Sequence, residues 1–355
     1  MKNIAQIDKN FALETAIERE GLKFYNVENT PFQIYGVFME NGSYRRIPEE
    51  IAKKVSPGVH ILSTHTAGGR VRFVTDSPYI AIKAECSVDK TSHMALTGKV
   101  GFDMYAEYAG ENRYEGTFIP PFNFRKGYEA IKDFSRVHKR VITINFPLYG
   151  TVSKLFIGLK EGSVLEPAPD YKINKPVVFY GSSITQGGCA SKPGSSYQSI
   201  LSRRFDCDYI NLGFSGNAKG EDAMTDYING LDMSAFVLDY DHNAPTAEHL
   251  RNTHSKMFRA VRAAHPDIPI LILPRPKYYL EPEHEERFDI IYQTYLSAKE
   301  AGDNKVYFIS GPKLMELAGD NGTVDGCHPT DSGFLSMANA IGEVFCKFWH
   351  EVEKK

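Results

Sequence analysis

The sequence predicts an α/β protein with two domains: an N-terminal β-sandwich and, after it, a three-layer α/β/α sandwich around a parallel sheet. Three observations support this fold class. The length of 355 residues suits two domains of ordinary size. The first half carries short runs in which apolar and polar residues alternate. The second half carries continuous apolar runs separated by stretches with helical periodicity.

The short runs of the first half predict β-strands with one buried face. Runs 80–85, 142–146 and 154–160 place an apolar residue at every second position. Turn signals such as Ser77-Pro78 separate the runs. Because many short strands occur without a long helix between them, the first half is predicted to be a β-sandwich.

A linker is predicted between the two halves. Segment 161–170 lacks periodicity and is rich in residues that break helices and strands. We therefore place the domain boundary near residue 172, which gives predicted domains 1–172 and 173–355.

The second half alternates predicted strands and helices. Val177–Tyr180 is a continuous apolar run that ends at Gly181, as in a buried parallel strand. Later strands are predicted at the following runs: Tyr209–Leu212, Phe236–Leu238, Ile268–Leu273 and Val306–Ile309. This alternation predicts a parallel sheet with helices on both faces. Ligands bind such sheets at the carboxyl ends of their strands.

Helix signals fall between these strands. Ser195 and Gln198 form a predicted capping box at the start of one helix, and 246–264 is the clearest of the others. The last helix is predicted to begin after Pro329, with Asp331 in its first turn. Its apolar stripe consists of these residues: Phe334, Met337, Ala338, Ile341, Phe345 and Phe348.

Composition argues against several classes of partner. The formal net charge is -3 and the isoelectric point is near 6.4, so the chain lacks the basic footprint of a nucleic-acid-binding protein or a polybasic membrane patch. The longest apolar runs are too short to span a bilayer. The first 21 residues lack the apolar core of a secretory leader, so a cytoplasmic location is the expectation.

The cysteines predict reduced thiols. There are five, at positions 86, 189, 207, 327 and 346, with no CxxC pair. An odd number of scattered cysteines is typical of a reducing compartment. Cys189 and Cys327 each lie near a segment that carries candidate catalytic residues.

A candidate nucleophile follows the first strand of the second half. In segment 181–187, Gly-Ser-Ser-Ile-Thr-Gln-Gly, a serine at a strand-to-loop turn can expose its hydroxyl beside backbone N–H groups. Thr185 stands where the second glycine of GxSxG would be, which argues against the elbow of an α/β-hydrolase.

Two further segments supply candidate oxyanion donors. Segment 211–217 is a glycine-containing loop after the second strand, and its backbone N–H groups could approach a developing negative charge. Segment 239–245 follows the third strand, and Asn243 could donate its side-chain amide to the same charge. Asp239, Asp241 and His242 crowd the latter segment, so a metal site there is the alternative interpretation.

The fourth segment supplies a candidate base. Asp325-Gly-Cys-His328 lies just before the last predicted helix. A carboxylate three residues before a histidine can curl back to one imidazole nitrogen, which leaves the other nitrogen free to take a proton from serine.

Together, the four segments resemble the conserved blocks of SGNH (GDSL-type) hydrolases. Segment 181–185 is similar to the GDSIT block, segment 214–216 to the glycine block, Asn243 to the asparagine block and segment 325–328 to the DxxH block. The family fold is a flavodoxin-like parallel sheet within a three-layer sandwich. Two departures stand out: Ser182 replaces the usual aspartate, and segment 242–244 replaces Gly-x-Asn-Asp.

The resemblance implies a role for each matching residue. Ser183 is the nucleophile, His328 the general base and then acid, and Asp325 the group that orients the imidazole. The Ser183 N–H, the Gly216 N–H and the Asn243 amide form the oxyanion hole. The implied chemistry uses no cofactor and no metal. If Ser183 is not the nucleophile, Ser215 is the next candidate.

The first half also carries a likeness. Gly101-Phe-Asp-Met-Tyr105 resembles the GxDLY motif of the jelly-roll-like β-sandwich domains that precede one subgroup of SGNH hydrolases. We expect this domain to wall one side of the active site and to restrict the acyl or alcohol group. A carbohydrate-binding role for it is an analogy only.

The favoured function is a serine esterase that hydrolyses small acyl esters, with acetyl as the favoured acyl group and an O-acetylated sugar or oligosaccharide as the favoured substrate. An acyltransferase with the same triad, a lipase and a short-chain acyl esterase are alternatives. Because Ser182 and Ala244 depart from the family pattern, an inactive binding protein is a further alternative.

The remaining polar candidates are given no catalytic role. Arg275 is interpreted as a solvated loop residue, and the histidines at 65, 93 and 254 as surface or satisfied residues. Oligomeric state is not decided by the sequence.

Overall fold

The computed structural model describes residues 15–88, 91–108 and 110–352. The expectation that the chain lacks a secretory leader rests on its first 21 residues. Residues 1–14 of that stretch lie outside the described residues. None of the helices in the described ranges is both long and apolar enough to cross a bilayer.

The first half folds into two antiparallel sheets that share one apolar core, as predicted for a β-sandwich. One sheet has the strand order β1-β11-β6-β9, and the other has the order β12-β5-β10-β7-β8 with β2 added beside β5. The strands are β1 Leu22–Asn26, β2 Gln33–Tyr35, β3 Phe38–Glu40, β4 Ser43–Arg45, β5 Arg70–Thr75, β6 Tyr79–Ser87, β7 Phe102–Tyr108, β8 Glu111–Phe118, β9 Gly127–Asp133, β10 Arg140–Asn145, β11 Thr151–Lys160 and β12 Leu165–Glu166. Strands β3 and β4 form a separate hairpin.

The period-two pattern of the sequence is visible in the burial of the central strands. Along β6, Ile80, Ile82 and Ala84 are buried, whereas Glu85 is exposed. The apolar positions of β10 and β11 face the same core from the two sheets. The alternation therefore predicted the strands and their core-facing positions, whereas Ala81, on the predicted outer face of β6, is buried as well.

Two short helices of the first half were not predicted. Helices α1 (Glu49–Val55) and α2 (Pro57–Leu62) lie between β4 and β5. Ser56 caps α2 by accepting a hydrogen bond from the Val59 N–H at 3.1 Å. Their apolar residues join the core of the second half, where Val59 packs in the same cluster as Phe214. They are thus N-terminal in sequence but part of the C-terminal core. A further short helix, α3, spans Leu96–Lys99.

The second half is a five-stranded parallel sheet between two helical layers, as predicted. The strand order is β14-β13-β15-β16-β17. The elements are β13 Ile173–Gly181, α4 Ser183–Gln186, α5 Tyr197–Phe205, β14 Cys207–Gly213, α6 Asp222–Asn229, β15 Ala235–Asp239, α7 Ala247–Ala264, β16 Ile270–Ile272, α8 Pro282–Glu300, β17 Val306–Phe308, α9 Gly311–Leu314 and α10 Asp331–Val352.

Each face of the sheet has its own apolar core. Helices α5, α9 and α10 cover one face, and helices α6, α7 and α8 cover the other. The whole predicted stripe of α10 is buried, with exposed fractions of 5% or less. This packing fixes the carboxyl ends of β13, β14 and β15 side by side, because β13 pairs with both neighbours.

One predicted helix start is wrong, and the strand limits shift slightly. Ser196, not Ser195, is the N-cap of α5, because Ser195 ends a 3₁₀ turn that precedes the helix. Gln198 does not complete a capping box; its Nε2 donates to the Thr185 carbonyl at 2.6 Å. The fourth strand of the sheet, β16, is shorter than predicted. The chain passes from the antiparallel sheets to the parallel sheet between β12 and β13, and the boundary near residue 172 stays a prediction.

Candidate active site

Ser183 lies at the first turn of α4, directly after β13. Ser182 caps this helix by accepting a hydrogen bond from the Ile184 N–H at 3.1 Å. The turn requires glycine at 181, because a Cβ there would stand 2.2 Å from the Asp239 carbonyl oxygen. Ser182 stands where the family pattern has an aspartate, and serine is itself a favoured residue at an N-cap.

Ser183, His328 and Asp325 form one hydrogen-bonded line. The Ser183 Oγ lies 2.9 Å from His328 Nε2, and His328 Nδ1 lies 2.8 Å from Asp325 Oδ2. Ser183 is 8% exposed, whereas the side chains of His328 and Asp325 are 19% and 38% exposed. The serine is thus buried at the bottom of the site, and water reaches the base from the open side.

The loop before α10 is organised around the Asp325 carboxylate. Its Oδ1 accepts the backbone N–H groups of Cys327 at 3.0 Å and of His328 at 2.8 Å. Desolvation acts to raise the pKa of Asp325, but the backbone and imidazole hydrogen bonds outweigh it and hold that pKa at about 2. The carboxylate is therefore ionised near neutral pH, where it can orient the imidazole.

The predicted oxyanion donors Gly216 and Asn243 lie on two loops that contact each other. Gly216 follows β14 with φ +69°, a left-handed conformation that favours glycine. Asn243 ends a 3₁₀ turn after β15, and its Nδ2 donates to the Phe214 carbonyl at 2.7 Å. This bond ties the two loops together and leaves the second amide hydrogen of Asn243 for another acceptor.

Sequence reasoning missed Arg46, which holds the loop after β14. The side chain is buried, and it stacks 4.6 Å from the centre of the Phe214 ring. Its guanidinium donates to four carbonyl oxygens: Gly213 at 2.5 Å, His65 at 2.7 Å, Leu62 at 2.7 Å and Asn211 at 3.1 Å. No local pattern marks an arginine directly after a short strand for this role.

Gln186 was quoted within the nucleophile segment but given no role. It is fully buried at the end of α4. Its Oε1 accepts the Ser215 N–H at 3.1 Å, and its Nε2 donates to the Leu148 carbonyl at 3.2 Å. His65 Nδ1 lies 3.1 Å from the same Nε2. Gln186 therefore links the nucleophile turn, the glycine loop and the N-terminal domain.

The N-terminal domain contributes to the walls of the site. Tyr149 donates its hydroxyl to the Ser183 carbonyl at 3.2 Å. A cavity of about 280 Å³ opens beside it, lined by Gly58, Ile61, Leu62, His65, Val88, Thr91, Lys99, Tyr149, Ser215 and Asn217. Most of these residues belong to the first half of the chain, so the cavity lies between the two domains.

The carboxylates after β15 are engaged by protein groups. Asp239 accepts the hydroxyls of Thr185 at 2.9 Å and Tyr197 at 3.1 Å. Asp241 lies between two arginines, with Arg287 Nε at 2.8 Å and Arg275 Nε at 3.3 Å. Both carboxylates therefore already have protein partners, which argues against the alternative of a metal site in this segment. Arg275 is an ion-pair residue rather than the solvated residue that we expected.

The histidines divide into two groups. His254 is a satisfied core residue, with Nδ1 2.9 Å from Thr294 Oγ1. His65 and His93, which were given no role, lie at the site. The His93 ring lies 5.5 Å from the His328 ring, centre to centre.

Comparisons with known proteins find a family match in each half of the chain. Residues 174–346 match the GDSL-like lipase/acylhydrolase family. Residues 22–165 match the GxDLY family, described as the N-terminus of SGNH hydrolase-type esterases. The curated protein sequences contain no match.

Solved structures resemble the chain over nearly its whole length. A Bacteroides ovatus protein assigned as a GDSL-like lipase is 25% identical, with a TM-score of 0.82 over 93% of this chain and 98% of that one. The salicylyl-acyltransferase SsfX3 from a tetracycline biosynthetic pathway is 18% identical, with a TM-score of 0.74 over 91% and 96%. The acetyl xylan esterase Est2A of Butyrivibrio proteoclasticus is 13% identical, with a TM-score of 0.59 over 93% and 99%. The last two show the fold alone.

The two family matches fall on the two domains in the order that the sequence motifs predicted. The chain therefore belongs, through its second half, to the GDSL-like lipases and acylhydrolases, which are ester hydrolases, and it carries in front the N-terminal domain of SGNH hydrolase-type esterases.

Proposed function

We propose that the protein is a serine esterase that hydrolyses small acyl esters, above all acetyl esters of sugars or oligosaccharides, through an acyl-enzyme on Ser183. The observation that carries the proposal is the line from Ser183 Oγ through His328 to Asp325, with both hydrogen bonds shorter than 3 Å. A serine hydroxyl needs such a base to act as a nucleophile near neutral pH.

In the first half-reaction, Ser183 Oγ attacks the ester carbonyl while His328 Nε2 takes the hydroxyl proton. The Asp325 carboxylate holds the imidazole in the right tautomer and stabilises the imidazolium. The oxyanion develops toward the Ser183 N–H, the Gly216 N–H and the Asn243 amide. The tetrahedral intermediate then collapses, and His328 returns the proton to the departing alcohol.

In the second half-reaction, water attacks the acyl-serine and His328 again takes the proton. The exposure of the His328 and Asp325 side chains supports hydrolysis over transfer to another alcohol, because bulk water reaches the base. Incubation of the enzyme with an activated acetyl ester and a large excess of a sugar alcohol tests this step. Free acetate as the main product supports a hydrolase, and a new sugar ester as the main product contradicts it.

Two features support a small acyl group on a sugar alcohol. A cavity of about 280 Å³ lies between the domains beside Tyr149, which contacts the Ser183 carbonyl, so there is room next to the nucleophile for a short acyl group. The exposed aromatic side chains of Tyr278 and Tyr279 follow β16. Their segment is anchored to the base loop, because Lys277 Nζ donates to the Gly326 carbonyl at 2.6 Å. Exposed rings at the rim of a site offer flat apolar faces on which a sugar ring can pack.

The direct test of the nucleophile is Ser183→Ala. We expect kcat for 4-nitrophenyl acetate to fall at least about a thousandfold, because the acyl-enzyme can no longer form. The matched control is Ser215→Ala, which removes another serine of the same site and should have a far smaller effect. Full activity in Ser183→Ala, or loss only in Ser215→Ala, would move the nucleophile elsewhere.

The sugar preference has its own test in Tyr279→Ala. We expect KM for acetylated xylo-oligosaccharides to rise, because one aromatic face is lost, while kinetics on 4-nitrophenyl acetate stay unchanged. Tyr279→Phe keeps the ring and should keep the KM. If all three proteins treat the acetylated oligosaccharide alike, or if acyl chains longer than acetyl are hydrolysed faster, the acetylated-sugar assignment is wrong.

A further inference from the structure

A cluster of soft metal ligands lies on the open side of the triad. His93, Cys189 and His328 each offer one ligand atom, and these three atoms all lie within 4.8 Å of one another. His93 is exposed, and the other two are partly buried. The cluster brings together three separate segments: the loop before α3, the turn after α4 and the loop before α10.

The turn after α4 holds Cys189 in this position. Gly188 precedes it and packs so closely that a Cβ there would stand 3.1 Å from His328 Cδ2. Cys189 itself has φ +74°, a conformation in the left-handed region that a non-glycine residue adopts infrequently. Its thiol donates to the His93 carbonyl at 3.6 Å. The fold therefore keeps the sulfur within reach of both imidazoles.

Imidazole nitrogen and thiolate sulfur are the ligands that Zn²⁺ prefers. With bonds of about 2.0 Å to nitrogen and about 2.3 Å to sulfur, ligand atoms in a tetrahedral site lie roughly 3.3 to 3.7 Å apart. Separations below 4.8 Å therefore need only small side-chain adjustments, and His93 is exposed and able to make them. Water or a substrate oxygen can complete the tetrahedron.

The pairing of His328 Nδ1 with Asp325 also suits metal binding through Nε2. In metal sites, a ligating histidine commonly donates its other ring N–H to a carboxylate, which fixes the ring and makes the ligating nitrogen more basic. His328 Nδ1 already pairs with Asp325 Oδ2 at 2.8 Å, so Nε2 is the nitrogen that would face the metal. The arrangement that presents Nε2 to a serine thus also presents it to a zinc ion.

We propose that His93, Cys189 and His328 form an inhibitory site for Zn²⁺ or a similarly soft divalent cation. Binding exchanges the Cys189 thiol proton for the metal and releases that proton to solvent, with no change of oxidation state. His328 Nε2 can then no longer accept the proton of Ser183. The inhibition rests on the proposed function of His328, whereas the binding of the metal does not.

The test measures metal binding and esterase activity separately. Zn²⁺ should inhibit the wild-type enzyme, and Mg²⁺, which prefers oxygen ligands, should not. Cys189→Ser and His93→Gln should each raise the half-inhibitory Zn²⁺ concentration by about tenfold or more, since loss of even a supporting group in a metal site has effects of that size. Cys346→Ser, on α10, is the matched control and should behave as the wild type.

Binding is read with Co²⁺, whose thiolate complex has a charge-transfer band. The band should appear in the wild type and in Ser183→Ala and be lost in Cys189→Ser, so it remains informative even if Ser183 is not the nucleophile. An absent band, or Zn²⁺ inhibition unchanged in both Cys189→Ser and His93→Gln, would overturn the proposal. Relief of inhibition by Cys327→Ser but not by Cys189→Ser would do so as well.

Discussion

At the scale of single residues, the departures from the family pattern leave the cap of α4 and the amide of Asn243 in place. Ser182 caps α4 through its hydroxyl, as an aspartate could through its carboxylate. Asn243 keeps its amide beside the glycine loop although its neighbours differ from the usual block. These substitutions therefore give little support to the inactive binding protein that the sequence left open.

Asp325 provides the prediction at this scale. In Asp325→Asn, the amide can present its N–H to His328 Nδ1 and favour the wrong tautomer of the imidazole. We expect kcat for 4-nitrophenyl acetate to fall by about 10³ to 10⁴, with little change in KM or in the melting temperature. Steady-state kinetics and thermal unfolding of the variant provide the measurement.

The control for this variant is Asp320→Asn, an exposed aspartate in the preceding 3₁₀ turn. It makes the same chemical change without a contact to His328. A kcat in Asp325→Asn within a few-fold of the control would show that His328 is oriented without this carboxylate.

At the scale of elements, the site depends on three loops that follow adjacent parallel strands. Ser183 follows strand β13, and the two loops with the predicted oxyanion donors follow its neighbours β14 and β15. Asp239, at the end of β15, connects these layers because its carboxylate accepts hydroxyls from α4 and α5. Because these hydroxyls already occupy the Asp239 carboxylate, the structural role is favoured over a metal site in segment 239–245.

Asp239 leads to a prediction about stability and pH. Burial raises the pKa of Asp239 to about 7 in the folded protein, whereas an unfolded aspartate titrates near 3.9. Between these values the folded state binds more protons than the unfolded state, so this group's contribution to stability is fully present below the unfolded pKa and is lost as pH rises through the folded pKa. The loss amounts to at most about 4 kcal/mol.

Asp239→Asn removes this titration but keeps an oxygen that can accept both hydroxyls. We expect the difference in the free energy of unfolding between variant and wild type to shift in favour of the variant as pH rises from 4 to 7, measured by urea unfolding. Asp267→Asn, at an exposed position, is the control. A difference that does not vary with pH would mean that Asp239 is ionised in the folded state throughout.

At the scale of the whole molecule, the two domains are joined by buried polar contacts as well as by the shared apolar core of α1 and α2. The motif at 101–105 contributes one of them. Asp103 is fully buried and accepts the Gly194 N–H of the second domain and the Asn145 amide of the first, each at 2.8 Å. Arg70 adds an ion pair to Asp208 and packs 3.9 Å from the centre of the Tyr209 ring.

The prediction at this scale is that Asp103→Ala weakens the contact between the domains. The substitution leaves two buried donors without an acceptor, which lowers the free energy of unfolding by about 2 to 4 kcal/mol. Urea unfolding is followed by the fluorescence of Trp349, the single tryptophan, and by circular dichroism of the whole chain. The two transitions should coincide in the wild type and separate in the variant.

Asp76→Ala is the matched control, because Asp76 accepts the Val164 N–H within the first domain at 2.8 Å. It should lower stability but leave the two transitions coincident, as in the wild type. Coincident transitions in Asp103→Ala would show that the contact at Gly194 does not couple the domains.

How far the sequence predicted the structure depends on the range of the interactions concerned. The strands of the sandwich, the parallel sheet and α10 followed from periodicity, because burial of one face repeats along the chain with the period of the element. The capping box at Ser195 was wrong, because a 3₁₀ turn and the burial of Gln198 against Thr185 shifted the helix start by one residue. The short helices α1 and α2 were missed, since their apolar residues pack against a domain distant in sequence.

The sequence by itself determined the α/β architecture and pointed to the candidate triad, because the segments that carry it resemble the conserved blocks of a known family. Only the tertiary structure decided the setting of that triad. Arg46, Gln186 and Tyr149 hold the nucleophile and glycine loops through contacts between residues far apart in the chain. The cluster of His93, Cys189 and His328 likewise exists only in the folded chain, because proximity between distant loops is set by packing and leaves no spacing in the sequence to detect.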